Sequence, residues 1–328
     1  MVQLGFESCM ILGLDIGGAN TKAASSDGSF TDMVYLPLWK NAQLGEVLGQ
    51  FADLSPEAVA AVMTGELADC FSDKSAGIQS ITATVIDTFS CPIYFWGING
   101  FQWKDPLELA AANWSASAAL LGREVGDCIF ADMGSTTTDL IPIKGGPLAA
   151  KTDYQRLGRG ELVYMGLLRT SIGALLSAAR IRGDTVPLSP EFFAITADAY
   201  LTLGDLSPEN YACDTPDGAS KSREASLRRL ARAVCADLEE IGEAGAIAIA
   251  EQVRDHQFRV VVNAIERQAE RHKLSRVVAA GIGEQVISGA ARFLGMEITL
   301  LSEKYGQRIS DIFPAYAVAR LLEASSIV

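Results

Sequence analysis

Ile11-Leu12-Gly13-Leu14-Asp15-Ile16-Gly17-Gly18-Ala19-Asn20-Thr21-Lys22 decides the reading of this chain. The same pattern returns about a third of the sequence later as Ile129-Phe130-Ala131-Asp132-Met133-Gly134-Ser135-Thr136-Thr137-Thr138-Asp139-Leu140. Each segment is an apolar strand ending in Asp, a tight turn of small residues, and a second strand. Glycine in such a turn lets backbone N–H groups come close to phosphate oxygens. The hydroxyls of Thr21, Ser135, Thr136 and Thr137 add donors, and Asn20 lies in the first turn. A strand followed by Gly-Gly is also an ordinary hairpin; the repetition favours phosphate. The pair predicts two lobes gripping a polyphosphate from both sides. Asp15 and Asp132 would then face each other across a cleft, holding Mg²⁺ through water or orienting a nucleophile. A third segment, Val277-Val278-Ala279-Ala280-Gly281-Ile282-Gly283-Glu284, reads as a buried strand, a glycine turn and a helix. There Gly281 and Gly283 would meet a nucleotide or the outer part of a ligand.

The remaining composition fits two folded lobes. The 328 residues suffice for two domains at ~150 residues each. With 49% apolar and 20% charged residues the chain is globular. A formal charge of −13 argues against nucleic-acid and anionic-membrane surfaces. No apolar run reaches the ~20 residues that span a bilayer. The apolar start near Met10 lacks a basic leader and meets Asp15, so it reads as a buried strand and not a signal peptide. Cysteines 9, 70, 91, 128, 213 and 235 form no C-x-x-C pair, which predicts reduced, mostly structural thiols in a cytoplasmic protein. His256 and His272 lie in a charged helical stretch, so neither a catalytic histidine nor a His-bound zinc is expected.

The expected elements run ββ(β)αβαβα through the first lobe, residues 1–125. They are a hairpin over 10–24, a strand Phe30–Leu38, a helix Asn41–Leu54 with apolar Leu44, Val47, Leu48 and Phe51, a strand Ala58–Met63, a helix Asp73–Val85, a strand Ile93–Trp96 and a helix Pro106–Leu120 capped by Asp105. The second lobe, 126–314, opens on its own hairpin. Leu148–Asp153 follows, then a helix from Gly160 into Leu168. A loop-rich insertion over 183–222 encloses a helix Pro190–Leu203. Helices Ser226–Ala244 and Gly245–Lys273, strand 276–280, helix 284–293 and strand 296–301 complete the lobe. A last helix, Ala315–Ala324, is expected to cross back onto the first lobe.

The three glycine segments resemble the two phosphate motifs and the adenosine motif of the superfamily of actin, Hsp70 and the sugar kinases. Met63-Thr64-Gly65-Glu66-Leu67-Ala68-Asp69-Cys70-Phe71 and Thr152-Asp153-Tyr154-Gln155-Arg156-Leu157-Gly158-Arg159-Gly160-Glu161-Leu162-Val163-Tyr164 are similar to its hydantoinase A/oxoprolinase branch. Ala112-Asn113-Trp114-Ser115-Ala116-Ser117-Ala118 and Phe193–Tyr200 with Leu203-Gly204-Asp205-Leu206 resemble proteins of tetrahydromethanopterin-linked one-carbon transfer, whose archaeal members act in methanofuran biosynthesis. The resemblance runs from about Ile11 to Leu322. It implies an α/β chain of two ribonuclease-H-like lobes, the actin-like ATPase fold, with a cleft between them. It also implies a transferase that couples an aminomethylfuranylmethyl diphosphate to the phenol oxygen of a γ-glutamyl tyramine, with release of pyrophosphate.

Asp15, Asp132 and Glu66 are then the catalytic candidates, and Asp15 and Asp132 the Mg²⁺ candidates. Gly17, Gly18, Asn20, Thr21, Lys22, Gly134, Ser135, Thr136 and Thr137 are the phosphate candidates. Asn113, Trp114, Arg156, Arg159, Glu161, Gly281 and Gly283 are the substrate candidates. Each has a plainer reading. Lys22 suits a solvated strand position as well as a phosphate point charge. Glu66 suits a helix N-terminus as well as a base. Trp114 suits a core, while Asn113 is unusual in an Ala-rich helix. Arg156, Arg159 and Glu161 read as a glycine-rich loop leading into a helix, and Arg169-Thr170 extends that patch. Arg228, Arg229 and Arg232 read as a solvated helix face. Asp214-Thr215-Pro216-Asp217-Gly218-Ala219 departs from the family's Thr-Ala-Asp-Gly-Arg block, with Ala219 where arginine stands, which weakens phosphate binding there. The partners are small molecules, with no nucleic acid and no membrane; a homodimer is left open. Two other functions use the same motifs: an ATP-dependent kinase or ATPase, and a nucleotide-switched binding protein.

Overall fold

The computed structural model describes residues 10–40, 42–325 and 327. The expectations for Cys9 and for a helix start at Asn41 lie outside them. The first strands and helices are β1 (Ile11–Ile16), β2 (Asn20–Ser25), β3 (Thr31–Tyr35), α1 (Leu44–Ala52), β4 (Ala58–Met63), α2 (Lys74–Thr88), β5 (Ile93–Phe95) and α3 (Asn113–Glu124). Then come β6 (Cys128–Met133), β7 (Thr138–Ile143), α4 (Asp153–Arg159), β8 (Leu162–Val163), α5 (Ile172–Leu175), β9 (Ala178–Ile181), β10 (Asp184–Pro187), α6 (Thr196–Leu203), α7 (Arg223–Arg232) and α8 (Leu238–His272). The chain ends with β11 (Arg276–Ala280), α9 (Glu284–Phe293), β12 (Glu297–Leu300), α10 (Leu301–Tyr305), α11 (Gln307–Asp311) and α12 (Phe313–Glu323).

Two compact units result. One holds the residues up to Cys128, Ile141–Arg156 and those from Leu301 onward; the other holds Ile129–Leu140 and Leu157–Leu300. The first sheet has the order β3-β2-β1-β4-β5, with β2 antiparallel to both neighbours and β4 parallel to β1 and β5. The second has the order β12-β11-β6-β7-β8, with β11 parallel to β6 and β12, and β8 antiparallel to β7. Numbered along the chain within each sheet, both orders are 3-2-1-4-5. Both sheets are therefore ribonuclease-H-like, and the chain has the two-lobed α/β class its motifs imply.

β1 is buried on both faces, as its apolar run requires. Leu12, Leu14 and Ile16 pack with Leu48 and Phe51 of α1 and Ile78 and Ile81 of α2. On the other face α12 lies directly on the strand. A Cβ at Gly13 would overlap the Ala315 carbonyl, so glycine there admits the helix. In the second unit α6, α7 and α8 close a separate core through Leu227, Leu230, Ile249 and Val253.

Several expected elements are corrected. The helix over Pro106–Leu120 is two pieces: a 3-10 turn Pro106–Leu109, capped by Asp105, and α3. Ala111 at φ 48° separates them. The helix expected from Gly160 into Leu168 is absent. Gly160 at φ 69° ends α4 instead, and the Leu140 N–H donates to the Glu161 carbonyl as β8 joins the sheet edge. Arg156 and Arg159 thus lie on a helix, not in a loop. The helix over Pro190–Leu203 begins only at Thr196, where Asp198 accepts the Ile195 N–H. The β9–β10 hairpin was not anticipated. The helix over Ser226–Ala244 breaks after Arg232, with Cys235 at φ 57° and Asp237 capping α8, and α8 is kinked at Gly242. Among the described residues, no helix is long and apolar enough to cross a membrane, and Cys70, Cys91, Cys128, Cys213 and Cys235 are free thiols.

Candidate functional site

In the first unit the hairpin register places Asp15 opposite Lys22. The Lys22 ammonium lies 3.5 Å from the Asp15 carboxylate, which is 3% exposed. The Gly17 N–H closes the turn on the Asn20 carbonyl at 2.9 Å. A Cβ at Gly17 would press on that carbonyl, whereas Gly18 faces open space. Thr21 alternates to the opposite face of β2 and is fully buried, so it does not join the Asp15–Lys22 pair.

The turn after β4 packs against this hairpin. The N–H groups of Thr64 and Gly65 both donate to the Ile16 carbonyl. Glu66 follows and is 2% exposed. Gly77 of α2 admits the Glu66 backbone, since a Cβ there would overlap it. Burial holds the Glu66 carboxyl above the ordinary glutamate range and Asp153 adds to this; backbone N–H groups of Glu66 and Ala111, and the Lys74 charge, pull the other way. Its Oε2 is buried without a hydrogen-bond partner. Arg156, also buried, pairs with Asp153 at 2.9 Å, and its guanidinium lies 4.8 Å from the centre of the buried Trp114 ring. The Trp114 indole N–H has no partner either. Glu66, Lys74, Asp153, Arg156 and Trp114 thus converge. A buried polar group without a partner costs stability, and two such atoms, the Glu66 Oε2 and the Trp114 indole N–H, lie in this group. Half-buried Asn113 accepts the Trp114 N–H at 2.7 Å, a local bond at the start of α3.

In the second unit Asp132, next to last in β6, lies opposite Ala280. Gly281, at φ 85°, admits Asp132: a Cβ there would overlap its carboxylate and the Met133 carbonyl. A Cβ at Gly283 would overlap the Met133 side chain, and the Gly283 N–H donates to the Met133 carbonyl at 3.0 Å. Packing alone therefore requires both glycines. Gly281→Ala should cost about 1–3 kcal/mol of stability and lower turnover by displacing Asp132. Unfolding and steady-state rates that both match the wild type would contradict this placement.

The Gly134 N–H closes its turn on the Thr137 carbonyl at 2.9 Å. Gly134 has room for a side chain, so the turn's own geometry does not demand glycine. Ser135 and Thr136 share a hydrogen bond between hydroxyls at 3.3 Å. Arg159 is exposed at the end of α4, and Glu161 is buried. Gln268 donates to both the Arg159 and Gly160 carbonyls at 3.0 Å.

The arginine trio divides. Arg228 and Arg232 are exposed, as expected, but Arg229 is fully buried. It pairs with Asp198 at 2.7 Å and with Asp217 at 3.1 Å, and Ser226 and Tyr211 also bond Asp198. The Asp214–Ala219 block therefore supplies a clamp for Arg229 through Asp217.

No group of three His, Cys, Asp or Glu side chains that could hold a metal occurs among the described residues. An all-protein metal cage does not fit them. Mg²⁺ typically keeps several waters and takes one or two carboxylates plus substrate phosphates. Asp15 in the first unit and Asp132 in the second, each near a strand end beside a small-residue turn, each supply one carboxylate of that kind.

The profile of a family described as hydantoinase/oxoprolinase matches residues 57–325. A protein of Methanocaldococcus jannaschii named (4-{4-[2-(gamma-L-glutamylamino)ethyl]phenoxymethyl}furan-2-yl)methanamine synthase is 40% identical over 325 residues, covering 96% of this chain and 98% of that protein. A protein of the same name from Methanococcus vannielii is 35% identical over 202 residues, covering 60% of this chain and 91% of its own. Among solved structures, a ROK family glucokinase from Streptomyces griseus in complex with glucose and AMPPNP aligns over 95% of this chain and 98% of its own, at 14% identity and a TM-score of 0.48. Component A of the Acidaminococcus fermentans (R)-2-hydroxyglutaryl-CoA dehydratase aligns over 96% and 97%, at 13% identity and a TM-score of 0.47.

Proposed function

The chain belongs to the hydantoinase/oxoprolinase family, and from that membership we propose that it is the enzyme forming the phenoxymethyl-furan ether of methanofuran biosynthesis. One observation carries this reading: 40% identity over nearly the full length of both chains to a synthase named for that product. The product name contains a phenol oxygen joined to a methylene carbon on a furan, with a γ-glutamylamino group beyond.

The donor is an aminomethylfuranylmethyl diphosphate and the acceptor a γ-glutamyl tyramine. The phenol oxygen bonds to the furan-methylene carbon. The bond from that carbon to the diphosphate oxygen breaks and its electron pair leaves with the diphosphate. Positive charge developing on the methylene carbon is delocalised into the furan. The phenolic proton passes to the Glu66 carboxylate. Support for that role is a buried carboxyl whose proton affinity is raised towards the working pH, with one oxygen unpartnered. Asp132 is the other candidate base. Trp114 and Arg156 offer an aromatic face and a cation beside Glu66. The Gly17–Asn20 turn offers N–H donors and Lys22 a positive charge, and the Gly134–Thr137 turn offers N–H and hydroxyl donors, to diphosphate oxygens. Mg²⁺ would neutralise charge on the diphosphate when bound; Asp15 of the first unit or Asp132 of the second would hold it.

Excess chelator should abolish turnover and added Mg²⁺ restore it; full activity in chelator would contradict this. The reading as a whole is tested by incubation with Mg²⁺, the tyramine acceptor, and either ATP or the furan diphosphate, followed by mass spectrometry. The ether and pyrophosphate should appear with the furan diphosphate alone. A phosphorylated acceptor appearing only with ATP would replace the reading with a kinase.

A further inference from the structure

Residues 164–170, which overlap the helix expected from Gly160 into Leu168, form instead a loop laid against the Gly134–Thr137 turn. The Leu167 N–H donates to the Gly134 carbonyl at 2.9 Å. The N–H groups of Leu168 and Arg169 both donate to the Ser135 carbonyl, at 3.1 and 2.9 Å. Carbonyl oxygens repel an anion. These two are engaged by the loop, which leaves the donors of the turn as its anion-facing groups. Gly166 makes the approach possible, because a Cβ there would overlap the Ser135–Thr136 peptide. Its carbonyl is held by the Gln257 side chain at 2.8 Å, and Gln257 in turn by the buried Tyr200 hydroxyl at 2.6 Å. The loop is therefore fixed from below by α8 and α6.

This support delivers a charge to the turn. The half-buried Arg169 reaches back, and its Nη1 donates to the Thr136 hydroxyl at 3.1 Å. A hydroxyl that accepts from a guanidinium directs its own proton elsewhere and becomes a stronger donor. Thr136 then has Ser135 or an anion as its acceptor. A guanidinium carries five N–H donors in one fixed plane and can serve a phosphate alongside its protein partners.

We propose that Arg169 is a diphosphate-binding residue of the second turn: its guanidinium, carried on the Thr136 hydroxyl, pairs with the oxygens of the leaving diphosphate and meets the charge that grows there as the carbon–oxygen bond breaks. The inference rests on the diphosphate reading above and adds a residue to it. Arg169 acts on the donor side only, so the acceptor's KM is independent of it.

Pyrophosphate is the probe, titrated with Mg²⁺ into the folded protein by calorimetry. Wild type should bind it. Arg169→Gln should weaken binding about ten- to a hundredfold, the usual range for a charge-assisted hydrogen-bonded contact. Arg169→Lys, which keeps the charge and loses the planar fork, should fall between. In steady state, Arg169→Gln should lower kcat and raise the donor's KM while the acceptor's KM stays within about twofold, as for a contact that strengthens in the transition state. A merely structural role for Arg169 would move both KM values and make the lysine variant no better than glutamine; either result overturns the proposal. Wild-type pyrophosphate affinity in Arg169→Gln also overturns it and leaves the diphosphate reading standing. Failure of the wild type to bind pyrophosphate removes the diphosphate reading, and the role of Arg169 with it.

Discussion

Glu66→Gln is expected to lower kcat by about 10²- to 10⁴-fold, the usual contribution of a positioned base, while raising thermal stability at neutral pH. The two effects have one cause. Glu66 is 2% exposed, and burial disfavours its charged form. A carboxyl whose affinity for the proton is higher in the folded state stabilises the fold fully below its unfolded pKa. That contribution is lost as pH rises from near the ordinary value of 4.5 through the raised folded value. At neutral pH the ionised carboxylate is therefore a burden on the fold, and glutamine removes it. In the proposed mechanism catalysis needs the same ionised form, because only a carboxylate can take the phenol proton. The acid limb of the wild-type pH–rate profile should accordingly lie above 4.5, and it should be missing from the residual activity of Glu66→Gln. The comparison needs kcat across pH and a melting curve at two pH values. A variant with normal kcat would remove Glu66 from the chemistry; one with lower stability at neutral pH would show that the ionised carboxylate is well satisfied.

The largest effect on stability is expected from Asp198→Ala. It leaves the fully buried Arg229 facing Ser226 and Asp217 without its main counter-ion. Breaking a buried pair by removing one partner costs about 3–5 kcal/mol. Urea unfolding should report that loss, with Asp198→Asn less affected because its amide oxygen still accepts the Ser226 and Arg229 donors. Joint replacement of Asp198 and Arg229 by apolar residues should restore much of the stability, since no isolated charge then remains. A loss below about 1 kcal/mol for Asp198→Ala, within the range of a surface pair, would contradict the account of this network.

Both predictions depend on contacts that the sequence shows unequally. β1, β4, β6 and β11 were legible because mostly apolar runs followed by a glycine turn leave little choice but buried central strands. The Asp15–Lys22 pair follows from hairpin register, but from sequence Lys22 had only a solvated or phosphate-facing place. Gly281 was legible as a turn but not in its reason, which is the space that Asp132 and Met133 occupy. The surroundings of Glu66 were not legible. Asp153 lies far from it in sequence, and Arg156 meets Trp114 across 42 positions (156 less 114). Nothing local to Arg156 distinguishes it from exposed Arg159 on the same short helix. Arg229 was misread for the same reason: its neighbours Arg228 and Arg232 are solvated, and its partner Asp198 sits on another helix. Periodicity reports which face of a helix is apolar; it does not report a charge neutralised by a remote residue.

The central claim is ether formation with the diphosphate as leaving group, and the fate of one oxygen tests it most directly. The furan donor is prepared with ¹⁸O at the oxygen bridging its methylene carbon and the first phosphorus. Incubated with Mg²⁺ and the tyramine acceptor, the enzyme should release pyrophosphate carrying all of the label and an ether carrying none. Label retained on the furan-methylene carbon, with phosphorus transferred to the acceptor or to water, would contradict the account.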